Sequence, residues 1–190
     1  MFHVEQKLNL SLNPFPTLFT SRLELRQFID SDLQDYYQIR SDAEVMKALD
    51  KNPNTLAETK ALFESMDTNL KAGTAITWVI CFKESKKLIG YIGFHNIDIP
   101  HNRAIIGYAL FFNQHRKGIM QEAITEVIKY GFKTINLHSI EANINQINLG
   151  SRNLLLKNGF VKEAHIKENY LFNGVYLDSV IYSLINPNHK

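Results

Sequence analysis

Apolar residues recur in the first third of the chain at spacings that predict one strand followed by helices. The segment 21–28 alternates apolar and polar residues, which is typical of a strand with one buried face. A helix follows, with Asp30 or Ser31 as its predicted N-cap. After a shorter helix, Thr55 is placed to cap a longer one that runs to Leu70.

The rest of the chain is richer in strands. Runs of Ile, Val, Tyr and Phe, joined by short polar connections, predict antiparallel strands at 75–82, 87–95 and 104–112. An amphipathic stripe then predicts the main helix at 117–132. The pattern continues with a strand at 138–144, a helix that ends at Gly159 and a hairpin that turns at Asn173-Gly174.

This order of elements predicts an α/β (α+β) fold with a mixed, mostly antiparallel sheet. We expect residues 1–16 to form an N-terminal extension, residues 17–186 a single domain and residues 187–190 a C-terminal tail. The chain has 190 residues, of which 45% are hydrophobic, and is therefore long enough to bury one substantial core.

Charge and cysteine content narrow the class of function. The 21 basic and 19 acidic residues give a net charge of only +2, which disfavours a nucleic-acid partner. The single cysteine, Cys81, fits a reducing compartment, and no apolar run reaches the ~18–20 residues of a membrane span. The histidines show no metal-ligand spacing. We therefore expect a cytoplasmic protein with no metal site and no membrane partner.

The stretch HRKGIM, residues 115–120, joins basic residues and a glycine to the start of the main helix. The first turn of a helix leaves backbone N–H groups unpaired and carries the positive end of the helix dipole, so an anion binds well there. Gly118 would let that anion approach the backbone closely. A pyrophosphate site and an ordinary solvated basic turn both fit these residues.

The chain resembles the GNAT acetyltransferases in three segments, IGYALFFNQHRKGIMQEAI, HSIEANINQINLGSRNLLLKNGF and NYLFNGVYLDSVIYSL. FPTLFTSRLELR and GYIGFHNID are similar to the Rim-type branch, the ribosomal-protein N-terminal acetyltransferases. The resemblance runs from about Phe15 to Leu184. It implies helices on both faces of the sheet, acetyl-CoA as co-substrate, and direct attack of an amine on the thioester.

The resemblance also implies a set of residues that bind the co-substrate. Its pyrophosphate loop and the helix start fall on His115, Arg116, Lys117, Gly118, Ile119, Met120 and Gln121. Gly118 matches the family pattern, whereas His115 and Met120 depart from it. Tyr108, Ala109 and Leu110 occupy the strand that pairs with the pantetheine arm, and Asn148 and Ser151 take positions that face CoA.

For the proton transfers, the resemblance points to a serine acid. Many members of the family carry a tyrosine acid where this chain has Leu155, and Ser151 is the substitute in the Rim-type branch. A serine at this place would alternatively cap or solvate its helix. The backbone N–H near Leu110 is the expected oxyanion donor.

Two carboxylates are candidates for the base, Glu141 and Glu168, and each would alternatively be a solvated strand residue. His95 and Tyr36 either face the acceptor or pack within the protein.

Two functions stay open at this point: an N-acetyltransferase, and a non-catalytic acyl-CoA-binding or sensor protein on the same fold. For the enzyme, the acceptor is the α-amine of a protein N-terminus or a small-molecule amine. Whether the protein forms a homodimer also stays open.

Overall fold

The computed structural model describes residues 13–188, and within them the chain forms one eight-stranded sheet with five α-helices. The strands are β1 (Leu18–Phe19), β2 (Leu23–Arg26), β3 (Ile76–Phe82), β4 (Leu88–Asp98), β5 (Arg103–Leu110), β6 (Ser139–Asn145), β7 (Val161–Phe172) and β8 (Val175–Ile185). The helices are α1 (Leu33–Ser41), α2 (Ala43–Ala48), α3 (Leu56–Lys71), α4 (Ile119–Tyr130) and α5 (Leu149–Lys157). Most of the predicted extension, residues 1–12, and the last two residues of the predicted tail lie outside this part.

The strand order is β1-β2-β3-β4-β5-β6-β8-β7. All neighbouring strands run antiparallel except β5 and β6, which are parallel. A parallel pair needs a crossover connection, and α4 supplies it. The mixed, mostly antiparallel sheet predicted from the sequence is confirmed.

Helices cover both faces of this sheet, as expected. One face packs against the apolar stripe of α4, where Ile124 and Val127 are fully buried with Trp78 and Phe94 of the sheet. The opposite face packs against α1, α2 and α3. The alternation of side chains along each strand supplies both cores, since successive residues point to opposite faces.

The starts of the helices agree only in part with the sequence. Thr55 caps α3 in a capping box: its hydroxyl accepts from the Glu58 N–H at 3.2 Å, and the Glu58 carboxylate accepts from the Thr55 N–H at 2.7 Å. The prediction that Asp30 or Ser31 caps α1 is wrong. These residues lie in a 3₁₀ turn, and the chain enters α1 through Asp32, whose carboxylate is held by Arg26 at 2.7 Å.

The parallel pair β5–β6 is short, and the two strands then separate. Their register pairs Arg103–Ile105 with Ser139–Glu141 and stops there. β5 continues on β4 as far as Leu110, while β6 continues on β8 as far as Asn145. The second half of each strand therefore lacks a neighbour on one side, and a wedge opens in the middle of the sheet.

No α-helix in residues 13–188 combines the length and apolar character that crossing a bilayer requires.

Candidate active site

A cleft of about 860 Å³ lies where β5 and β6 separate. Its walls are the free halves of these two strands, 106–110 and 142–145. The N-terminal ends of α4 and α5 border it, and so does the segment from α2 to Lys51. The cleft thus brings together segments far apart in the sequence.

The backbone of β5 presents a free hydrogen-bonding edge to this cleft. The Phe111 N–H donates to the Ile89 carbonyl at 3.0 Å, which makes these two residues a hydrogen-bonded pair of the β4–β5 ladder. Such pairs alternate along antiparallel strands. Ala109 therefore bonds towards β4, whereas the N–H and C=O groups of Tyr108 and Leu110 point into the cleft. An extended ligand could pair with that edge.

The N-terminus of α4 offers a second set of free donors. Its N-cap is Gly118, in the left-handed region with φ 73°, and no side chain caps the helix. The first N–H that bonds within the helix is that of Glu122, which donates to the Gly118 carbonyl at 3.1 Å. The N–H groups of residues 119–121 therefore border the cleft at the positive end of the helix dipole. Together with Arg116, this end suits an anion such as a pyrophosphate.

The other residues predicted for this loop divide into two groups. His115, Met120 and Gln121 line the cleft, and the His115 Nε2 lies 3.3 Å from the Leu110 carbonyl oxygen. Gln121 also bonds to Asn158, at the end of α5, at 2.9 Å. Lys117 is exposed, does not line the cleft and donates to Gln114 at 3.3 Å.

Glu122 holds this loop against the turn between β1 and β2. Its carboxylate accepts hydrogen bonds from the Thr20 and Ser21 hydroxyls, from the Arg22 N–H at 2.8 Å and from the Arg22 Nε at 2.7 Å. Burial alone would raise the pKa of Glu122, but these hydrogen bonds outweigh it and lower the pKa to about 2. The second guanidinium nitrogen of Arg22 donates to the Lys117 carbonyl, which fixes the loop before Gly118.

We expect Glu122→Gln to lower the free energy of unfolding at pH 7 by about 1.5–3 kcal/mol, the range for hydrogen bonds to a charged group. Because folding depresses this pKa from its ordinary 4.5 to about 2, the stabilisation is complete above pH 4.5 and is lost as the pH falls towards 2. Urea unfolding of the wild type and of Glu122→Gln at pH 7, 5, 4 and 3 measures the difference in the free energy of unfolding. A difference between the two proteins that stays constant across this range would contradict the assignment.

Ser151 and Tyr108 form a hydrogen-bonded pair in the wall of the cleft. The Tyr108 hydroxyl lies 2.6 Å from the Ser151 Oγ, and both residues line the cleft. Burial raises the pKa of Tyr108 to about 12, so its phenol keeps its proton at neutral pH. Asn148 caps α5 by accepting from the Ser151 N–H at 3.0 Å, and its amide donates to the Ala48 carbonyl at 2.8 Å. Asn148 therefore fixes the place of Ser151.

A carboxylate, that of Asp50, also lines the cleft, just after the end of α2. The two oxygens of Asp50 accept from the Asn145 amide at 2.8 Å and from the Tyr170 hydroxyl at 2.7 Å. Burial raises the pKa of Tyr170, and the hydrogen bond to Asp50 raises it further. All three residues line the cleft. The carboxylate keeps acceptor capacity for another donor, because each oxygen has two lone pairs.

The structure places the predicted base and acceptor residues away from the cleft walls. Glu141, at the last pair of the β5–β6 ladder, and Glu168, exposed in an irregular part of β7, do not line the cleft. Tyr36 packs in the core with 4% of its surface exposed, its ring against Phe28 and Tyr91.

His95 does not line the cleft either, but its ring lies next to a residue that does. A Cβ added to Gly107, which lines the cleft, would be 3.1 Å from the His95 ring. Desolvation lowers the pKa of His95, and the charge of Lys51 lowers it further. The ring is therefore neutral at pH 7 and can accept a proton. Among the described residues, no three His, Cys, Asp or Glu side chains are grouped to hold a metal ion.

Sequence reasoning missed the groups that meet through tertiary structure. Asp50 lies in the stretch DKNPN, which indicates a loop and nothing more, and its partner Tyr170 is 120 residues away. Tyr108 was predicted to act through the backbone of its strand. The hydrogen bond between its hydroxyl and Ser151 has no signal in the sequence. A periodic pattern identifies the face of a strand but not which distant side chain lies opposite it.

Comparison with known proteins adds a family and its relatives. The family model of the acetyltransferase (GNAT) domain matches residues 22–161. The N-acetyltransferase YoaA of Bacillus subtilis (strain 168) is 34% identical over 174 residues, which cover 91% of this chain and 98% of YoaA. The structure of the ribosomal-protein-S5-alanine acetyltransferase of Vibrio fischeri is similar with a TM-score of 0.81 and 27% identity, and the match covers 92% of this chain and 99% of that one. The spermidine N-acetyltransferase of Vibrio cholerae, in complex with CoA and spermine, shares the fold at a TM-score of 0.79 and 23% identity, over 87% of this chain and 96% of that one.

Proposed function

We propose that this protein, which belongs to the GNAT acetyltransferase family and is an acetyl-CoA-dependent N-acetyltransferase, acetylates the α-amine of a protein N-terminus in the β5–β6 cleft. One observation carries the proposal. A single cleft joins an uncapped helix N-terminus, which suits an anion, to the Asp50 carboxylate, which suits an ammonium group. The similarity to the Vibrio fischeri enzyme, whose name gives a ribosomal protein as its substrate, supports this acceptor class.

The described residues fit acetyl-CoA as the co-substrate. The N–H groups at the start of α4 and the side chain of Arg116 would bind its pyrophosphate. The free backbone edge of β5 at Tyr108 would pair with an amide of its pantetheine arm, which leaves the Leu110 N–H for the thioester carbonyl. Acetyl-CoA supplies the thioester, whose acetyl carbon is attacked by the amine nitrogen. The alternative of a non-catalytic sensor is set aside, since the relatives that match nearly the whole chain are N-acetyltransferases.

In the reaction, a carbon–nitrogen bond forms, the carbon–sulfur bond breaks, and one proton moves from the amine to solvent while another reaches the sulfur. The Leu110 N–H, which points into the cleft, would stabilise the negative charge that develops on the carbonyl oxygen. The Ser151 hydroxyl would give its proton to the leaving thiolate and be resupplied through Tyr108, whose phenol takes up a proton from solvent at the same time. The acetyl group passes directly to the amine, without an acyl-enzyme.

The amine must lose its ammonium proton before it attacks. His95, whose ring lies next to Gly107 of the cleft and whose lowered pKa favours the neutral form, would accept that proton. The role of base predicted for the two glutamates gains no support from their positions. Asp50 would hold the ammonium group at the cleft before the proton leaves.

We expect Asp50→Asn to lower kcat/KM for the amine about 10- to 150-fold and to leave the Kd of acetyl-CoA within twofold. The reason is the loss of a hydrogen bond to a charged group, worth roughly 1.5–3 kcal/mol. Steady-state kinetics with the amine varied, and calorimetric titration with acetyl-CoA, measure the two quantities. Asp42→Asn is the matched control, because that carboxylate caps α2 and does not line the cleft. An unchanged kcat/KM in Asp50→Asn would remove the ammonium site from the proposal.

The function itself is tested by binding and turnover. Acetyl-CoA at 100 times its Kd should raise the free energy of unfolding by about 2.7 kcal/mol, visible as a higher Tm. Release of CoA thiol should then be faster with N-terminal peptides of mixed sequence than with simple alkylamines. Binding of acetyl-CoA without release of thiol on any amine would contradict the proposed function, and faster turnover of the alkylamines would contradict the acceptor class.

A further inference from the structure

Arg40 is a buried cation without a carboxylate partner. Only 7% of its surface is exposed, and its guanidinium donates to the Asn54 amide oxygen at 3.0 Å and the Tyr91 hydroxyl at 3.2 Å, both neutral groups. None of the ion pairs formed by residues 13–188 includes it, and its Nη2 has no hydrogen-bond acceptor among them. Buried charges in proteins are usually paired, so this unpaired charge, although Arg40 itself does not line the cleft, favours an anion bound nearby.

Lys51 extends the positive charge of Arg40 to the cleft. Its side chain lines the cleft and, within the described residues, makes no ion pair with any carboxylate. Partial desolvation lowers the pKa of Lys51, and the nearby Arg40 charge lowers it further. The charge of Lys51 in turn lowers the pKa of His95. Two hydrogen bonds join Arg40 to Asn54, three residues after Lys51, so the buried charge of Arg40 lies close to the cleft-lining Lys51.

Asp50 does not neutralise this region. Although it precedes Lys51 in the chain, both of its oxygens are turned to Asn145 and Tyr170. The backbone of Asp50 has a left-handed conformation, with φ 51°, so the chain turns sharply at Asp50, just before Lys51. The acceptor side of the cleft thus offers one negative site and one positive site on consecutive residues.

We infer that the acceptor carries a carboxylate next to its amine, and that Lys51, supported by Arg40, binds this carboxylate while Asp50 receives the ammonium group. The inference rests on the proposed function and specifies its substrate class. A protein N-terminus with Glu or Asp at its second position has this chemistry, and so does a small amine such as β-alanine. A polyamine does not, because its second ammonium group would face Lys51.

The test compares amines that differ only in charge. Three C-terminally amidated peptides begin Ala-Glu, Ala-Gln and Ala-Lys and are otherwise identical, so glutamate provides the only carboxylate. β-Alanine and spermidine complete the panel. We expect the wild-type kcat/KM for the Ala-Glu peptide to exceed that for Ala-Gln about tenfold, and that for Ala-Lys by more. Lys51→Met should bring the ratio of kcat/KM for the Ala-Glu peptide to kcat/KM for the Ala-Gln peptide to about one.

Lys47→Met is the matched control, because Lys47 is an exposed lysine of α2 that does not line the cleft, and it should keep the wild-type ratio. If the wild type turns over β-alanine as fast as the Ala-Glu peptide and Lys51→Met turns it over slowly, that result supports the inference and identifies a small molecule as the acceptor that carries the carboxylate. Equal turnover of the Glu and Gln peptides by the wild type, preference for spermidine, or a preserved ratio in Lys51→Met overturns the inference but leaves the proposed function standing. If no amine of the panel is acetylated, the proposed function falls and the inference with it.

Discussion

Replacing Ser151 with alanine is expected to lower kcat about 100-fold, the lower end of the range for a general acid, while the Kd of acetyl-CoA changes less than threefold. The physical reason is the hydroxyl pair: the Ser151 Oγ lies 2.6 Å from the Tyr108 hydroxyl, and both line the cleft. Leu155, the position at which the family resemblance implies a tyrosine acid, has an apolar side chain and is fully buried, so it cannot replace the lost donor. Thiol release measured against time gives kcat, and calorimetry gives Kd.

A double-mutant cycle separates this role from packing. If Tyr108 resupplies the Ser151 proton, the two residues act as one unit, and Tyr108→Phe combined with Ser151→Ala should cost little more than Ser151→Ala alone. Ser65→Ala is the control, since that serine is exposed on α3 and bonds only to the Leu62 carbonyl. The assignment of Ser151 and Tyr108 as one proton-donating unit would be refuted if the fold-loss of kcat in the double variant equalled the product of the two single losses. A normal kcat in Ser151→Ala would refute it as well.

Gly118→Asp should raise the Kd of acetyl-CoA about 100-fold, the second large effect. The added carboxylate would stand at the uncapped start of α4 and repel a pyrophosphate that binds to the same N–H groups. The φ of 73° also strains any residue with a Cβ. Space is not the obstacle, because the new Cβ would lie 3.6 Å from the Arg22 guanidinium, an ordinary contact. Calorimetric titration of the folded variant measures the change.

Two further variants separate charge, backbone strain and side-chain identity at this loop. Gly118→Ala adds the strain without the charge and should weaken binding only a few-fold. His115→Gln should leave the Kd within threefold, because backbone N–H groups rather than the His115 ring hold the anion. Equal dissociation constants for Gly118→Asp and His115→Gln would contradict a site dominated by the backbone.

Local signals in the sequence predicted most elements of the fold. The Thr55 cap, the left-handed Gly159 after α5 and the Asn173-Gly174 turn each depend on a few neighbouring residues. The prediction for α1 failed where a tertiary contact intervened. Arg26 holds Asp32 there, and the cap moved beyond Asp30 and Ser31. Local chemistry fixes an element only when no distant partner competes for its side chains.

The candidate site could be predicted only where it depends on a continuous segment. The loop around Gly118 was predicted because a glycine and a helix start are adjacent in the chain. The Asp50–Tyr170 contact could not be predicted from the sequence, because it depends on how far β6 separates from β5 in the folded sheet. Glu141 shows the same limit, since strand alternation gave its face but not its place at the last pair before the strands separate.

The short ladder between β5 and β6 has a mechanical consequence. Within the described chain, three residue pairs join β5 to β6, and beyond them the two parts of the sheet, β1–β5 and β6–β8, are connected through side-chain hydrogen bonds such as those of Asp50 and Ser151. Tyr108 belongs to one part, and Asn145 and Tyr170 belong to the other. The relative positions of these groups therefore depend on side-chain bonds across the cleft and not on continuous pairing of the sheet.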